Sequence, residues 1–219
     1  MAAQEALARA TPAPWLPDPS GVRMAAGCFV CFARGKTGRG QAGDAGWAGA
    51  ALLADGRLVD AAAVRGAAGA PYEPGLLALR EGPLLEAAVR ALRLRPQVLL
   101  VNATGRDHPR RAGLALHLGA RLDLPTIGVT SRPLLASGAA PADTPGARSP
   151  LLLDGEHVGY WLRVRPGVRP LAVHAAWRTD PDVAATVVLA LVGPALTPEP
   201  LRQARRAARD ARAADTRGP

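Results

Sequence analysis

Lysine is almost missing from this chain. Lys36 is the only one in 219 residues, so arginine carries nearly all of a formal net charge of +9. A basic surface gains from neutralising phosphates and releasing their counterions, which points toward polyanionic partners. Joint enrichment in Arg, Ala and Gly colours any surface, however, and weakens that inference. Six arginines also fall between Arg202 and Arg217. Part of the charge therefore belongs to a C-terminal segment that reads either as a solvated helix face or as a nucleic-acid contact. Cysteine is scarce too. Cys28 and Cys31, in "GCFVCF", are the only two, which excludes a disulfide framework. A CxxC pair makes a metal or redox half-site when it opens a helix or meets a second ligand pair. Here it lies in a short apolar run that reads as a strand, and residues three apart on a strand face opposite ways. Free thiols suit a reducing compartment. No apolar run approaches about 18 residues, and the N-terminus lacks a basic start followed by an apolar block. The expectation is a cytoplasmic chain with no membrane partner.

What is present is enough apolar material, 48% of residues, to build one sizeable core. The chain divides into a Pro-rich N-terminal lead-in over 1–20, a main domain over 21–206 and an Arg-rich tail over 207–219. Apolar runs and turn signals predict strands at 25–32, 47–54 and 57–64, joined by a Gly-rich stretch and by the turn "ADG". A helix follows from "LLALREGPLLEAAVRALRL", interrupted at Gly82 and Pro83. Then come a strand over 97–102, a basic loop, a helix in "RRAGLALHLGARLD" and a strand in "PTIGVT". The loop 132–150, rich in Pro, Ala and Gly, is expected to be mobile. A hairpin in "LLLDGEHVGYWLRVR", a strand in "PLAVHAA", a helix over 181–192 and an Arg-rich terminal helix complete the order. Hairpins first and strand–helix alternation afterwards indicate a single mixed α/β domain.

The stretch "VLLVNATGRDHPRRAG" carries the main functional signal. Its apolar strand stops at Asn102 and opens into a loop holding Arg106, Asp107, His108, Arg110 and Arg111. Strand ends of this kind commonly present reactive groups in α/β proteins, yet this one delivers a neutral amide. His117 and His157 read as packed or surface histidines, and Asp60 as an edge-strand charge.

Taken with "PYEPGLLALREGPLLEAAVRAL" and the closing "LTPEPLRQA", the stretch "VLLVNATGRDHPRRAGLALHLGARLDLPTIGV" resembles the endonuclease V family over about residues 22–206. These are nucleases of ribonuclease H-like fold that cut near deaminated purines. The resemblance implies a mixed sheet with flanking helices, and a site where carboxylates hold a divalent ion that activates water for in-line displacement. Position by position, the family's "GVDxSF" aspartate falls on Phe29 and the "REGP" glutamate is kept as Glu81. The aspartate of "DGxGxxHPR" falls on Asn102, with His108 kept. The lysine of "GVAK" falls on Ser131, and the "GH" histidine falls on Trp177, with His174 three residues earlier. "PYEP" matches the family's wedge, so Tyr72 would stack on a base.

With one carboxylate left of three, neither a metal nor another cofactor is expected, and cleavage is the activity least supported by these residues. The leading reading is a nucleic-acid-binding relative using Tyr72, Arg106, Arg110 and Arg111. An alternative is a pocket refitted for metal-independent chemistry on a small molecule. Cys31, Glu81, Asn102, His108 and Ser131 would then surround one cleft, with Cys31 as nucleophile. A third is a structural partner subunit.

Overall fold

In the computed structural model, residues 2–10, 12–18, 20–33 and 39–215 are described. β1 (Met24–Phe32), β2 (Ala45–Ala54) and β3 (Arg57–Ala67) form an antiparallel meander. The β2–β3 turn sits on Asp55 and Gly56, both at positive φ (47° and 76°). That geometry matches the twist of a two-residue hairpin and suits an Asp-Gly pair. β4 (Val98–Val101) and β5 (Thr126–Thr130) run parallel to β1. β8 (Leu171–Ala175) then pairs antiparallel with β5, and β7 (Glu156–Leu162) and β6 (Arg148–Leu153) extend the sheet as a hairpin. The eight strands lie in the order β3-β2-β1-β4-β5-β8-β7-β6.

Helices cover both faces. α2 (Leu77–Arg90) and α3 (Leu114–Leu122) pack on one, where Cys28, Leu99 and Val101 meet Leu84, Leu85 and Leu116. α4 (Pro181–Leu191), opened by the Asp180 side chain accepting from the Val183 amide at 2.8 Å, packs on the other with Leu100, Ile127 and Val173. A Ser/Asp/Asn cap followed by proline is a strong helix start, because it satisfies an amide the helix cannot. α5 (Glu199–Asp215) returns across β1 and β2 on that same face and is continuous from Glu199 through Asp215, with Ala204 and Ala208 buried. Its close approach requires glycine beneath it. A Cβ on Gly49 would lie 2.4 Å from the Ala204 carbonyl oxygen and 2.6 Å from the Ala208 amide nitrogen.

The predicted elements are all found, with one correction. α2 is not interrupted at Gly82 and Pro83. Proline removes the bond to the carbonyl four residues back, here that of Leu79. The helix runs on through this turn, and the backbone of Gly69 packs against it, with the Gly69 N–H donating to the adjacent Arg80 carbonyl at 3.0 Å. Residues 132–150 are tied down at Ser137, which bridges to Leu152, and at 134–136, whose amides are held by Asp107. The lead-in packs on the body: α1 (Ala2–Arg9) lies against α3, and the Trp15 amide donates to the Arg178 carbonyl at 2.7 Å. Among the described residues, no helix is long and apolar enough to cross a membrane.

Candidate functional site

The parallel pairing of β1 with β4 ends at Cys28 and Val101, where β4 stops and β1 runs on beside β2. The next residues, Phe29 and Asn102, therefore stand together just past that pair. Glu81 reaches the same place from the second turn of α2. Phe29, Glu81 and Asn102 line a space of only about 20 Å³ with Cys28, Val30, Leu85 and Val101. That is near the minimum for one water, and a hydrated divalent ion needs far more.

The donor chemistry agrees. Divalent hard cations need several carboxylate or carbonyl oxygens, and here Glu81 is the one carboxylate lining the space, with Asn102 as the other polar side chain. Burial holds the Glu81 carboxyl up at about 7, against a smaller opposing pull from Arg80, so even this ligand is half neutral near pH 7. Phe29 turns to the α5 layer, where the Arg205 guanidinium lies 5.0 Å from its ring centroid. A cation therefore sits beside the position where the family resemblance would put an aspartate. Among the described residues no group of three or more His, Cys, Asp or Glu side chains could hold a metal. The residues present do not fit the ion that the family resemblance implies.

Strand alternation decides the two thiols. Cys28 is fully buried in the α2 layer beside Glu81, and burial first, then the Glu81 charge, push its thiol far up, so it is inert. Cys31 shares the face of Phe29 and directs its Sγ at the Ala208 carbonyl of α5, 3.6 Å away. The structure thus brings Cys28, not Cys31, next to Glu81, and the cleft that gathers Asn102 and His108 does not include Cys31.

That cleft, about 230 Å³, opens between the "PYEPG" loop and the ends of β4 and β5. Tyr72, Pro74, Leu77, Leu114 and Leu134 supply apolar walls, and Gln4, Asn102, Thr104, His108 and Thr130 the polar points. Tyr72 is 46% exposed on the lip. His108 is buried with both ring nitrogens engaged: Nδ1 accepts from the Arg110 amide at 3.1 Å and Nε2 meets the Gly75 carbonyl at 3.0 Å. The first bond requires a lone pair on Nδ1, so the proton sits on Nε2 and the ring is neutral. Burial, the largest influence, also lowers its proton affinity. The Gly75 carbonyl further accepts from Arg110 Nη2 at 2.9 Å and from Gln4 Nε2 at 3.1 Å. His108 therefore anchors the wedge loop. Ser131 is exposed just past β5 and does not line the cleft. Trp177 lies beyond the end of β8, its amide donating to Thr126 Oγ1 at 3.1 Å.

The basic loop is largely engaged by the chain itself. Arg110 donates to Gln4 Oε1 at 2.6 Å, and Arg111 binds the Leu153 carbonyl and Asp154 and pairs with Glu156. Arg106 reaches the Ala8 carbonyl at 3.5 Å.

Sequence reasoning passed over Gln4 and Thr130 here, and it named Asp107 and His174 without joining them to a site. Asp107 and His174 are both fully buried. Asp107 accepts from the amides of Leu134, Leu135 and Ala136 at 2.6, 2.8 and 2.8 Å. His174 Nδ1 lies 3.7 Å from Asp107 Oδ2, and its Nε2 lies 2.9 Å from Thr130 Oγ1. The available signal was His174 itself, one polar residue inside the apolar strand "PLAVHAA".

A mixed sheet that starts as a three-strand meander, continues with strands parallel to the first and gathers its polar site where the β1–β4 pairing ends is ribonuclease H-like. The profile of one family within that class, endonuclease V, matches residues 17–206, and the chain belongs to that family. It is 40% identical over 167 residues to endonuclease V of Roseiflexus sp. (strain RS-1), covering 75% of each chain. The crystal structure of endonuclease V from Streptomyces avermitilis superposes with a TM-score of 0.87 at 35% identity, covering 98% of this chain and 92% of that one. Endonuclease V of Ciona intestinalis, solved with a 24mer DNA containing an inosine followed by a ribo-adenosine, shares the fold. Its TM-score is 0.81 at 21% identity, covering 97% of this chain and 96% of that one.

Proposed function

We propose that this chain binds nucleic acid across the Tyr72 cleft and does not hydrolyse the backbone by the metal-dependent route of its family. One observation carries the reading. The three positions that should supply carboxylates to an ion hold Phe29, Glu81 and Asn102 around a space of about 20 Å³. Binding is supported by the retained wedge. Tyr72 stands exposed at the lip, as a ring that stacks on an unpaired base would, and the Ciona relative is a DNA-bound protein.

The purified chain is expected to leave inosine-containing DNA and RNA intact with Mg²⁺ or Mn²⁺ added. Asn102→Asp alone should not restore cutting, because Phe29 and the Arg205 cation above it remain. Chelator-sensitive nicking that vanishes in Glu81→Ala would overturn the reading.

Binding, measured on an inosine duplex over a range of salt, should weaken as salt rises. Because Arg110 is held by Gln4 and Gly75, Arg110→Ala is expected to cost about 1–2 kcal/mol of stability and to leave the salt slope unchanged. Arg132, exposed directly after β5 beside the cleft, should flatten the slope by about one unit when changed to alanine. The reverse pattern would move the phosphate contacts back to the basic loop.

A further inference from the structure

Three groups from separate elements form a buried chain that reaches the cleft only at its last member: Asp107 in the loop after β4, His174 near the end of β8 and Thr130 at the end of β5, which lines the cleft. We propose that they form a metal-independent hydrolytic triad, with Thr130 as nucleophile, that cleaves small carboxylic esters in this cleft.

The geometry has the order such a triad needs. Asp107 Oδ2 faces His174 Nδ1 at 3.7 Å, His174 Nε2 faces Thr130 Oγ1 at 2.9 Å, and Thr130 lines the cleft. Asp107 accepts three backbone N–H bonds and so presents only lone pairs. The His174 nitrogen that faces it therefore carries the ring proton, which leaves Nε2 as a bare acceptor pointing at the threonine hydroxyl. That hydroxyl has one proton and two acceptors within reach, Nε2 and the Arg132 carbonyl at 2.6 Å. Rotation about the C–O bond turns the hydroxyl proton from the Arg132 carbonyl to Nε2, and transfer to the base then breaks the O–H bond as the N–H bond forms.

A purely structural network would be expected to close its bonds, since a buried unpaired polar atom is costly. Nδ1 has no hydrogen-bond partner, and its contact with Asp107 is longer than a hydrogen bond. A loose carboxylate contact that tightens once the imidazole takes a proton suits a base whose cationic form is transient. Burial keeps His174 neutral at rest despite Asp107 nearby, so the base is available.

The substrate class follows from the walls. Tyr72, Pro74, Leu77, Leu114 and Leu134 suit a compact apolar acyl group, and Asn102 on the same cleft offers an amide to a developing oxyanion. Thr130 Oγ1 bonds to the acyl carbon as its proton passes to His174 Nε2. The bond from that carbon to the alcohol oxygen breaks, and the alcohol leaves with the proton. Water then repeats the sequence, its proton passing through Nε2 to Thr130 as the carboxylic acid departs. No oxidant or reductant is needed.

The test uses the full chain with p-nitrophenyl butyrate and with a fluorophosphonate. Ester turnover and a covalent phosphonyl adduct mapped to residue 130 are expected. Thr130→Val, which keeps the volume and removes only the hydroxyl, should abolish both, and Thr130→Ser should restore both. His174→Gln should lower kcat about a hundredfold or more with KM unchanged. Asp107→Asn, which acts through His174, should also lower kcat without raising KM, whereas mere loosening of the loop would raise KM. Absence of an adduct at residue 130, or turnover that survives Thr130→Val, would overturn the proposal. Because Thr130→Val leaves the buried pair intact, the result stands even if His174→Gln does not fold. Binding to the inosine duplex, followed in parallel, reports separately on the nucleic-acid reading.

Discussion

Asp107→Ala is expected to destabilise the fold by on the order of 3 kcal/mol. The substitution removes both acceptor oxygens that hold the amides of Leu134, Leu135 and Ala136. Leaving one such donor buried and unpaired costs about 1–3 kcal/mol. Three would cost more, but Leu134 and Leu135 are each half exposed, so part of the loop can turn its amides to water. No buried cation is stranded, because burial already holds His174 neutral, and the loss therefore comes from the loop rather than from the ion pair. In a chain of this size 1 kcal/mol moves Tm by about 2–4 °C, so a fall of roughly 6–12 °C is expected. Amide exchange at 134–136 should speed up before the rest of the sheet. Asp107→Asn keeps one acceptor oxygen and should lose less. A fall below about 1 kcal/mol for alanine would mean that the segment holds itself through the Ser137–Leu152 bridge alone.

The fold was legible wherever the determinants were local. Period-two burial along β3, the Asp55-Gly56 turn and the apolar blocks of β4 and β5 place their elements without tertiary knowledge. Pro83 misled because its local meaning is to break a helix, whereas α2 runs through it and packs against Gly69 and the sheet. The neighbourhood of Phe29 and Asn102 was legible as well, because strand register alone sets the two side by side. Alternation also separated Cys28 from Cys31. It could not say that Glu81 lies in the layer of Cys28, which depends on where α2 packs. The arginines of the basic loop read as a phosphate surface because their acceptors, Gln4, Gly75 and Leu153, are distant in sequence. The Asp107–His174–Thr130 arrangement joins three segments through a sheet pairing that places β8 beside β5, and no short motif announces it.

Glu81→Gln tests the remaining carboxylate through stability rather than activity. The folded protein holds the Glu81 carboxyl at about 7, raised from an ordinary 4.5 chiefly by burial. Below pH 4.5 both the folded and the unfolded chain keep the proton, and burial of the neutral group carries no ionisation penalty. Between pH 4.5 and 7 the unfolded chain releases the proton while the folded chain retains it, so stability falls by about 1.4 kcal/mol per pH unit. Above pH 7 the loss is complete, on the order of 3 kcal/mol. Glutamine has nearly the same shape and cannot ionise. The variant should therefore match the parent in urea unfolding near pH 4 and exceed it by about 3 kcal/mol at pH 8, with a Tm roughly 6–12 °C higher. Added Mg²⁺ should change neither protein. A divalent ion held by Glu81 would reverse both results: Mg²⁺ would stabilise the parent by mass action and the glutamine variant would lose that gain. In that case the space between Phe29 and Asn102 would open enough to admit an ion, and metal-dependent cleavage would again be the leading activity.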